Sequence, residues 1–326
     1  MKYIDFTGTA YLGLSHNLDF IDLIHKGIEK YGINFGGSRL NNAVPDIYRI
    51  AESFFAEKLY CRDSLLTSSG TLGGILLSRF LKKNDFNVFI SSDLHPALRD
   101  NFISFNEFNE LSEVLPAINS TEQNMRNAVL LNTINPVTLK TIDVNDILKF
   151  KNKKNTLFVL DDSHGIGING DENWGISGLL HKNGLKYIIL SSLAKAFSLQ
   201  GGIIAGDKFI IDSIKKESSW GGASPPPAFY FYALINGESI VAQQIEKLKQ
   251  NIIYFSEKLR PDNSLVYIPD FPIFINKGKS LYEFLYSKGI IISAFRYPTK
   301  NDPLTERIVI NANHSFEDLD FLRSFI

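Results

Sequence analysis

Short, continuously apolar runs alternate with amphipathic stretches through the middle of the chain. Runs such as LFVL and YIIL are typical of strands that are buried on both faces of a mostly parallel sheet. The stretches between them have helical periodicity, as at 70–82 and 143–151. The pattern predicts an α/β fold with a mostly parallel central sheet. The predicted strands are 64–68, 87–91, 128–132, 156–161, 187–191 and 202–205.

The pattern changes after three consecutive prolines at 225–227. A long helix is predicted over 229–259. Short strands (LVYI, PIFI, GIIIS and RIVIN) then alternate with predicted helices at 280–288 and 315–325. We therefore predict three segments: a large α/β domain, a smaller α+β C-terminal domain, and an N-terminal segment that joins the smaller domain. Their predicted bounds are 36–235, 236–326 and 1–35.

Composition and charge exclude several classes of protein. The 326 residues are 44% hydrophobic and 21% charged, which is ordinary for a soluble globular protein, and a formal net charge of −1 gives no basis for binding nucleic acid or an anionic membrane. Cys61 is the one cysteine, so no intramolecular disulfide can form. No apolar run is long enough to span a membrane, and the first residues lack a signal-peptide pattern. We expect a cytoplasmic enzyme or binding protein.

The segment SSGTLGG at 68–74 joins a predicted strand to a predicted helix. Gly70 and Thr71 are the first two residues of that helix. Ligands of open parallel sheets bind beyond the carboxyl ends of strands, and small residues there let backbone N–H groups bind a phosphate. A plain tight turn is an equal alternative. A dinucleotide-binding site is a further alternative, because Asp93 follows at roughly the sequence spacing of the acidic residue that binds the ribose. However, GTLGG is not the G-x-G-x-x-G pattern of such sites.

Two further polar groups follow predicted strands. Asp161 closes the strand 156–161 and can hold a pyridinium nitrogen or a metal ion, although helix capping is a common role for such a residue. We expect no metal, because no second ligand stands at a typical spacing. His95 follows the strand 87–91 and can stack on a flat heteroaromatic ring, or be an ordinary loop histidine.

Lys195 is the only charged residue between positions 187 and 206. Apolar and small neighbours would lower its pKa by desolvation, which favours imine formation. A solvated surface lysine is the usual alternative, and the lack of nearby charges weakens it. A phosphate site, a ring-stacking histidine, a carboxylate and an imine-forming lysine are together the groups that hold pyridoxal 5′-phosphate.

With these motifs the chain resembles the α-oxoamine synthase family of fold-type-I pyridoxal-phosphate enzymes. Its members include 8-amino-7-oxononanoate synthase, 2-amino-3-ketobutyrate CoA ligase and serine palmitoyltransferase. The likeness is strongest in GGSRL, DDSHGIG and the lysine segment, and it covers nearly the whole chain. The matching segments are AYLGLSHN, YGINFGGSRLNN, SSGTLGG, DLHPALRD, LDDSHGIGINGDENWG, SSLAKAFSLQGGIIAG, SPPPA, FRYPT and RIVINANHS.

The resemblance implies a role for each matching residue of the cofactor ring site. Lys195 matches the Schiff-base lysine, and Asp161 matches the partner of the pyridinium nitrogen. His164 matches the group that hydrogen-bonds the cofactor's phenolic oxygen, and His95 matches the ring-stacking histidine. Lys195, His164 and Asp161 are therefore the implied catalytic residues.

The resemblance also implies the phosphate and substrate contacts. Gly70 and Thr71 match backbone contacts to the cofactor, and Ser192 matches the phosphate-binding hydroxyl. Ser224 stands near the position of the threonine that reaches the neighbouring subunit's phosphate, and a homodimer is implied. Arg307 matches the arginine that binds the amino-acid carboxylate, a bidentate role that suits a planar guanidinium.

Some segments depart from the family pattern. Thr9 and Ala10 replace the usual asparagine segment, and TINPVT at 133–138 replaces a serine-containing motif such as FSMDG. The chain also begins closer to AYLGLSHN than family members do. The cofactor-binding segments are intact, whereas the walls of the acyl-substrate site are not the usual ones.

The resemblance implies condensation of a small amino acid with an acyl-CoA thioester to give an α-amino ketone. The DDSH and FRYP segments are more similar to the aminoketobutyrate ligase branch than to the oxononanoate synthase branch. Three alternatives stay open: an aminotransferase of the same fold, a non-catalytic homologue that binds pyridoxal phosphate, and a nucleotide-binding dehydrogenase.

Overall fold

The chain folds around two β-sheets. The computed structural model describes residues 3–99, 102, 104–120, 125–150, 155–260, 263–297 and 299–326. Lys151, the predicted end of one helix, lies outside these ranges, as do the motif residues Asp100 and Pro298.

Twelve strands and thirteen α-helices are described, together with short 3-10 turns. The strands are β1 (Ile4–Phe6), β2 (Asp63–Thr67), β3 (Asn87–Ser91), β4 (Asn106–Phe108), β5 (Asn127–Asn132), β6 (Thr156–Asp161), β7 (Tyr187–Ser192), β8 (Gly202–Gly206), β9 (Leu265–Val266), β10 (Ile273–Asn276), β11 (Ile290–Arg296) and β12 (Leu304–Val309). The helices are α1 (Leu18–Tyr31), α2 (Asp46–Lys58), α3 (Gly70–Lys83), α4 (Pro96–Arg99), α5 (Leu111–Ser120), α6 (Val144–Leu148), α7 (Ser177–Lys182), α8 (Lys208–Lys215), α9 (Ser218–Gly222), α10 (Ala228–Asn236), α11 (Glu238–Glu257), α12 (Tyr282–Ser287) and α13 (Phe316–Arg323).

The larger sheet has seven strands in the order β2-β8-β7-β6-β5-β3-β4. Strand β8 is antiparallel to β2 and β7, and all other neighbours are parallel. Successive side chains enter different cores: Val88 and Ile90 of β3 lie in one apolar cluster, whereas Phe89 lies in the other. Because both faces are buried, these strands are continuously apolar rather than alternating.

The smaller sheet has five strands in the order β1-β11-β12-β10-β9. Strand β1, from the start of the chain, pairs in parallel with β11, so that Ile4 lies opposite Ile290. Ile292 and Ile308 of this sheet belong to the same apolar cluster as Phe89. One continuous core therefore joins the two sheets and fixes the position of β12 relative to the larger sheet.

The predicted α/β class with a mostly parallel sheet is confirmed. Each of the six predicted strands in the larger sheet forms, with bounds that agree to one residue. The single helix predicted over 229–259 is wrong, because α10 and α11 are separate helices on either side of Gly237. The predicted bounds of the three segments stay a prediction. Within the described part of the chain, no helix has the length and apolar content needed to cross a bilayer.

Candidate active site

A cavity of about 230 Å³ lies at the carboxyl ends of β5 and β6, beneath β11 and β12 of the smaller sheet. Five residues with a predicted role line it: His95, Asp161, His164, Lys195 and Arg307. The other lining residues are Thr9, Asp93, Asn132, Asn135, Pro136, Val137, Phe295 and Tyr297.

Lys195 lies in the turn that follows β7 and is half-buried. Its Nζ is 2.9 Å from Nε2 of His164. Burial lowers the pKa of the lysine, the negative charge of Asp161 opposes that effect, and the positive charge of Arg307 adds to it. A lysine with a lowered pKa has a larger fraction of neutral, nucleophilic amine at neutral pH.

His164 lies between Lys195 and Tyr11. Its Nδ1 is 2.8 Å from the Tyr11 hydroxyl, and the Tyr11 side chain is 0% exposed. Burial holds the pKa of His164 well below its ordinary value, and the charges of Lys195, Arg307 and His95 lower it further. The imidazole is therefore neutral at physiological pH.

The two consecutive aspartates at the end of β6 have different surroundings. Asp161 lines the cavity, and its Oδ1 accepts the N–H of Ser163 at 3.1 Å. A turn rather than a helix follows it, so helix capping does not explain its position. Asp162 is 1% exposed, and its carboxylate accepts the Thr133 hydroxyl and the N–H of Ile176. Burial raises the pKa of Asp162 to about 7, although these hydrogen bonds oppose the shift.

Arg307 is the cavity's buried cation and is 9% exposed. Its Nη1 donates to the carbonyl of Pro136 at 3.5 Å, and its guanidinium carbon lies 4.8 Å from the centre of the Phe295 ring. In the part of the chain that the structure describes, Nε has no hydrogen-bond partner. A buried N–H without a partner is costly, so this group is suited to bind an anion.

The predicted phosphate contacts form a second cluster at the start of α3. Ser69 caps the helix by accepting the N–H of Leu72 at 3.1 Å. Gly70 packs so closely on the end of β7 that an added Cβ would lie 3.0 Å from Cβ of Ser192. Thr71 is exposed beside it. These residues share an edge of the sheet with the cavity but do not line it.

Ser224 is not brought to the cavity of its own chain. It is exposed in the connection between α9 and α10. The predicted role of Ser224 concerns a neighbouring subunit, so its place in a single chain does not test that role.

Polar residues close the far side of the cavity. Asp93 accepts hydrogen bonds from the Ser91 hydroxyl and from Nδ2 of Asn135, each at 2.6 Å. Nδ2 of Asn132 donates to the Asp93 carbonyl at 2.8 Å. The Asp93 carboxylate thus holds the segment 133–138 (TINPVT) against the cavity through Asn135.

The sequence-based prediction missed Tyr11, Asn132 and Tyr297. Tyr11 lies in the matching segment AYLGLSHN. That segment could have drawn attention to the tyrosine, although the match assigns it no contact. Tyr297 lines the cavity, and burial and the negative charge of Asp161 raise its pKa. It lies in the matching segment FRYPT, which assigns the tyrosine no contact.

Comparisons with known proteins cover nearly the whole chain. The family model "Aminotransferase class I and II" matches residues 2–326. The 8-amino-7-oxononanoate synthase of Petrotoga mobilis is 24% identical over 351 residues, which cover 99% of this chain and 87% of the relative. The serine palmitoyltransferase of Sphingobacterium spiritivorum is 22% identical over 338 residues, which cover 98% and 84%.

Solved structures match the same span. Serine palmitoyltransferase from Sphingomonas wittichii has a TM-score of 0.83 at 16% identity and covers 99% of this chain and 86% of its own. The 8-amino-7-oxononanoate synthase from Francisella tularensis has a TM-score of 0.75 at 21% identity and covers 98% and 95%. These likenesses confirm the predicted fold.

Proposed function

Because this chain belongs to the aminotransferase class I and II family, we propose that it uses pyridoxal 5′-phosphate to condense a small amino acid with an acyl-CoA thioester, giving an α-amino ketone. The relatives named above are both α-oxoamine synthases. The observation that carries the proposal is that Lys195, His164, Asp161 and Arg307 line one cavity.

The residues of the cavity fit this cofactor. Lys195 offers an amine of lowered pKa, which suits imine formation with an aldehyde. Asp161 presents a carboxylate at the end of a buried strand, where it can pair with a protonated ring nitrogen. The N-terminus of α3, with Gly70 packed on Ser192, suits a phosphate group.

Each residue then has a defined task. When bound, pyridoxal phosphate supplies an electron sink for a carbanion at Cα of the amino acid. Lys195 holds the cofactor, and as a free amine it is the base that moves the proton at Cα. Asp161 keeps the ring nitrogen protonated. His95 stacks on the ring, and His164 hydrogen-bonds its phenolic oxygen.

Arg307 binds the carboxylate of the amino acid. Its guanidinium is buried, fixed over Phe295 and held by Pro136, and Nε has no partner in the described part of the chain. A planar guanidinium binds a carboxylate through two parallel hydrogen bonds and so fixes its orientation. By fixing the orientation of the amino acid, Arg307 would determine which of its bonds at Cα is placed for reaction.

A homodimer, in which Ser224 of one subunit contacts the phosphate bound by the other, is part of the proposal. Ser224 is exposed, and Gly221 beside it accepts the Ser38 hydroxyl. Ser38 lies in a largely exposed segment whose apolar side chains Ile33 and Leu40 are 74% and 64% exposed. Leu40 packs on Gly221, so that an exposed apolar side chain near the predicted phosphate contact supports an interface there. A cytoplasmic location stays a prediction.

The experiment that tests the reaction is a thiol-release assay on the purified chain with pyridoxal phosphate. Glycine, alanine or serine is paired with acetyl-, pimeloyl- or palmitoyl-CoA, and both CoA release and the ketone product are measured. We expect CoA release that requires the amino acid and is lost in Lys195→Ala. Amino-acid-dependent formation of a keto acid without CoA release would contradict condensation and would indicate an aminotransferase.

A further inference from the structure

Tyr11, His164 and Lys195 form a continuous hydrogen-bonded row. The Tyr11 hydroxyl is 2.8 Å from Nδ1 of His164, and Nε2 of the same ring is 2.9 Å from Nζ of Lys195. Tyr11 is held in place by its backbone, because its carbonyl accepts the N–H of Ala312 and the next N–H, of Leu12, donates to Ala196. A residue far away in sequence is thus fixed directly behind the catalytic histidine.

Burial of Tyr11 determines the direction of its hydrogen bond. The hydroxyl is fully buried, and in the described ranges its one hydrogen-bond partner is Nδ1 of His164. If Nδ1 carried a proton and donated it, the phenolic hydrogen would have no acceptor, which is unfavourable in a buried site. The phenol therefore donates to Nδ1, and because a neutral imidazole carries a single N–H, the proton lies on Nε2.

The charges around the ring are consistent with this arrangement. Burial is the largest cause that lowers the pKa of His164, and the charges of Arg307 and His95, which face it, add to that effect, so that the ring stays neutral. The pKa of Tyr11 is raised by burial, so that the phenol keeps its hydrogen. Burial lowers the pKa of Lys195 and so increases the fraction of neutral amine, which is the form that accepts from Nε2–H.

We propose that Tyr11 is a positioning residue that fixes His164 as the Nε2–H tautomer, so that His164 is a hydrogen-bond donor to the cavity and Lys195 alone is the base. The inference rests on the proposed function. It goes beyond that function because it assigns a role to Tyr11 and fixes which nitrogen of His164 carries the proton. An Nε2 that already carries a proton has no lone pair with which to remove a second proton from Cα.

The test is ¹⁵N NMR of the full-length, histidine-labelled protein, with and without pyridoxal phosphate. The His164 signals are assigned by their loss in His164→Gln. We expect an unprotonated Nδ1 and a protonated Nε2. In Tyr11→Phe the pKa of His164 should rise, because a hydrogen bond that stabilises the neutral ring is lost, and both nitrogens should show mixed tautomers. Tyr48→Phe is the matched control, since Tyr48 is 1% exposed and donates to Pro226 instead.

The outcomes separate the two proposals. A proton on Nδ1 in the wild-type protein, or His164 signals that Tyr11→Phe leaves unchanged, overturns the role of Tyr11 even if the protein takes up pyridoxal phosphate. The expected tautomer in a protein that takes up no pyridoxal phosphate supports the role of Tyr11 and contradicts the proposed function. If Tyr11→Phe does not fold, the tautomer in the wild-type protein alone decides.

Discussion

The carboxylate binding proposed for Arg307 depends on the planar shape of the guanidinium as well as on its charge. Arg307→Lys keeps the charge but removes the paired N–H donors that orient a carboxylate. Because a hydrogen bond to a charged group contributes about 1.5–3 kcal/mol, we expect KM for the amino acid to rise by about tenfold or more. Steady-state kinetics measures this change. Titration with pyridoxal phosphate should show unchanged cofactor affinity, and weaker cofactor binding with an unchanged KM would contradict the assignment.

Asp162 should make stability depend on pH. Burial raises its pKa from 3.8 to about 7, so the folded protein favours the neutral carboxyl. The part of the unfolding free energy that the neutral Asp162 carboxyl contributes is fully present below about pH 4. It is lost as the pH rises to about 7. The loss is at most about 4 kcal/mol, since one pKa unit is about 1.4 kcal/mol. Asp162→Asn keeps a neutral side chain of the same shape and should lack this loss.

Urea unfolding of the wild-type protein and of Asp162→Asn between pH 4 and 7 tests this expectation. The difference in unfolding free energy between the two proteins should move in favour of the variant as the pH rises. Gln243→Ala, at an exposed position in α11, removes no ionisable group and is the control, which should show a constant difference. A constant difference for Asp162→Asn as well would show that Asp162 is ionised in the folded state throughout.

Individual site residues could be predicted only where they lie in a short motif. Asp161, His164 and Lys195 follow buried strands, so their types and positions indicated the chemistry. Tyr11 could not be assigned a role, because its contact with His164 joins residues 153 positions apart. Contacts of that kind depend on how the smaller sheet is placed over the larger one, and local sequence carries no signal for that placement.

Helix α3 packs closely on neighbouring segments at three glycines, Gly70, Gly73 and Gly74. At Gly74 an added Cβ would lie 3.0–3.2 Å from Cβ and backbone atoms of Ala97, in the segment that begins at His95. Alanine gains about 1 kcal/mol of helix propensity, but overpacking costs about 1–3 kcal/mol. We expect Gly74→Ala to lower the unfolding free energy and to weaken cofactor binding by displacing His95.

Denaturant unfolding and cofactor titration measure both effects of Gly74→Ala. Lys82→Ala, at an exposed position of α3, is the control, and its effect should be within about 0.5 kcal/mol. A Gly74→Ala protein with the unfolding free energy of the wild-type protein would show that α3 and α4 can move apart without destabilising the fold.

Elements of the buried sheet were predictable because strands covered on both faces are apolar without interruption. Strands β1 and β4 were missed, since each has three residues, lies at a sheet edge and includes exposed or half-buried positions. Helix α1 was also missed, although its N-cap Asn17 and its amphipathic pattern were available signals. The break at Gly237 was missed although Asn236 and Gly237 are residues that commonly end a helix.

The N-terminal and C-terminal segments of the chain lie together beside the cavity. Strand β1 pairs with β11, and Nε2 of His314 is 2.9 Å from the Asp5 carbonyl. Nε2 of Gln244, on α11, donates to the Leu12 carbonyl next to Tyr11. Segments from the start, middle and end of the chain therefore support the same site, which is why its geometry could not be predicted from any one of them.

The proposed dimer can be tested with hybrids of two different variant subunits. If each site takes Lys195 from one subunit and Ser224 from the other, a hybrid of Lys195→Ala and Ser224→Ala subunits contains one native site. We expect the purified hybrid to have one site of wild-type cofactor affinity, whereas Ser224→Ala homodimers bind more weakly. Titration of tagged and purified hybrids measures this. A hybrid with the weak affinity of Ser224→Ala would place Ser224 in its own subunit's site, and a Ser224→Ala homodimer of wild-type affinity would place it outside both sites.

Cofactor binding through Lys195 is tested most directly by the absorbance spectrum of the purified protein with pyridoxal phosphate, beside Lys195→Ala, before and after adding glycine, alanine or serine. We predict a yellow band that is absent from the freshly reconstituted variant without amino acid and is shifted in the wild-type protein by one of the three. A protein that stays colourless and takes up no pyridoxal phosphate would contradict the proposal that Lys195 binds this cofactor.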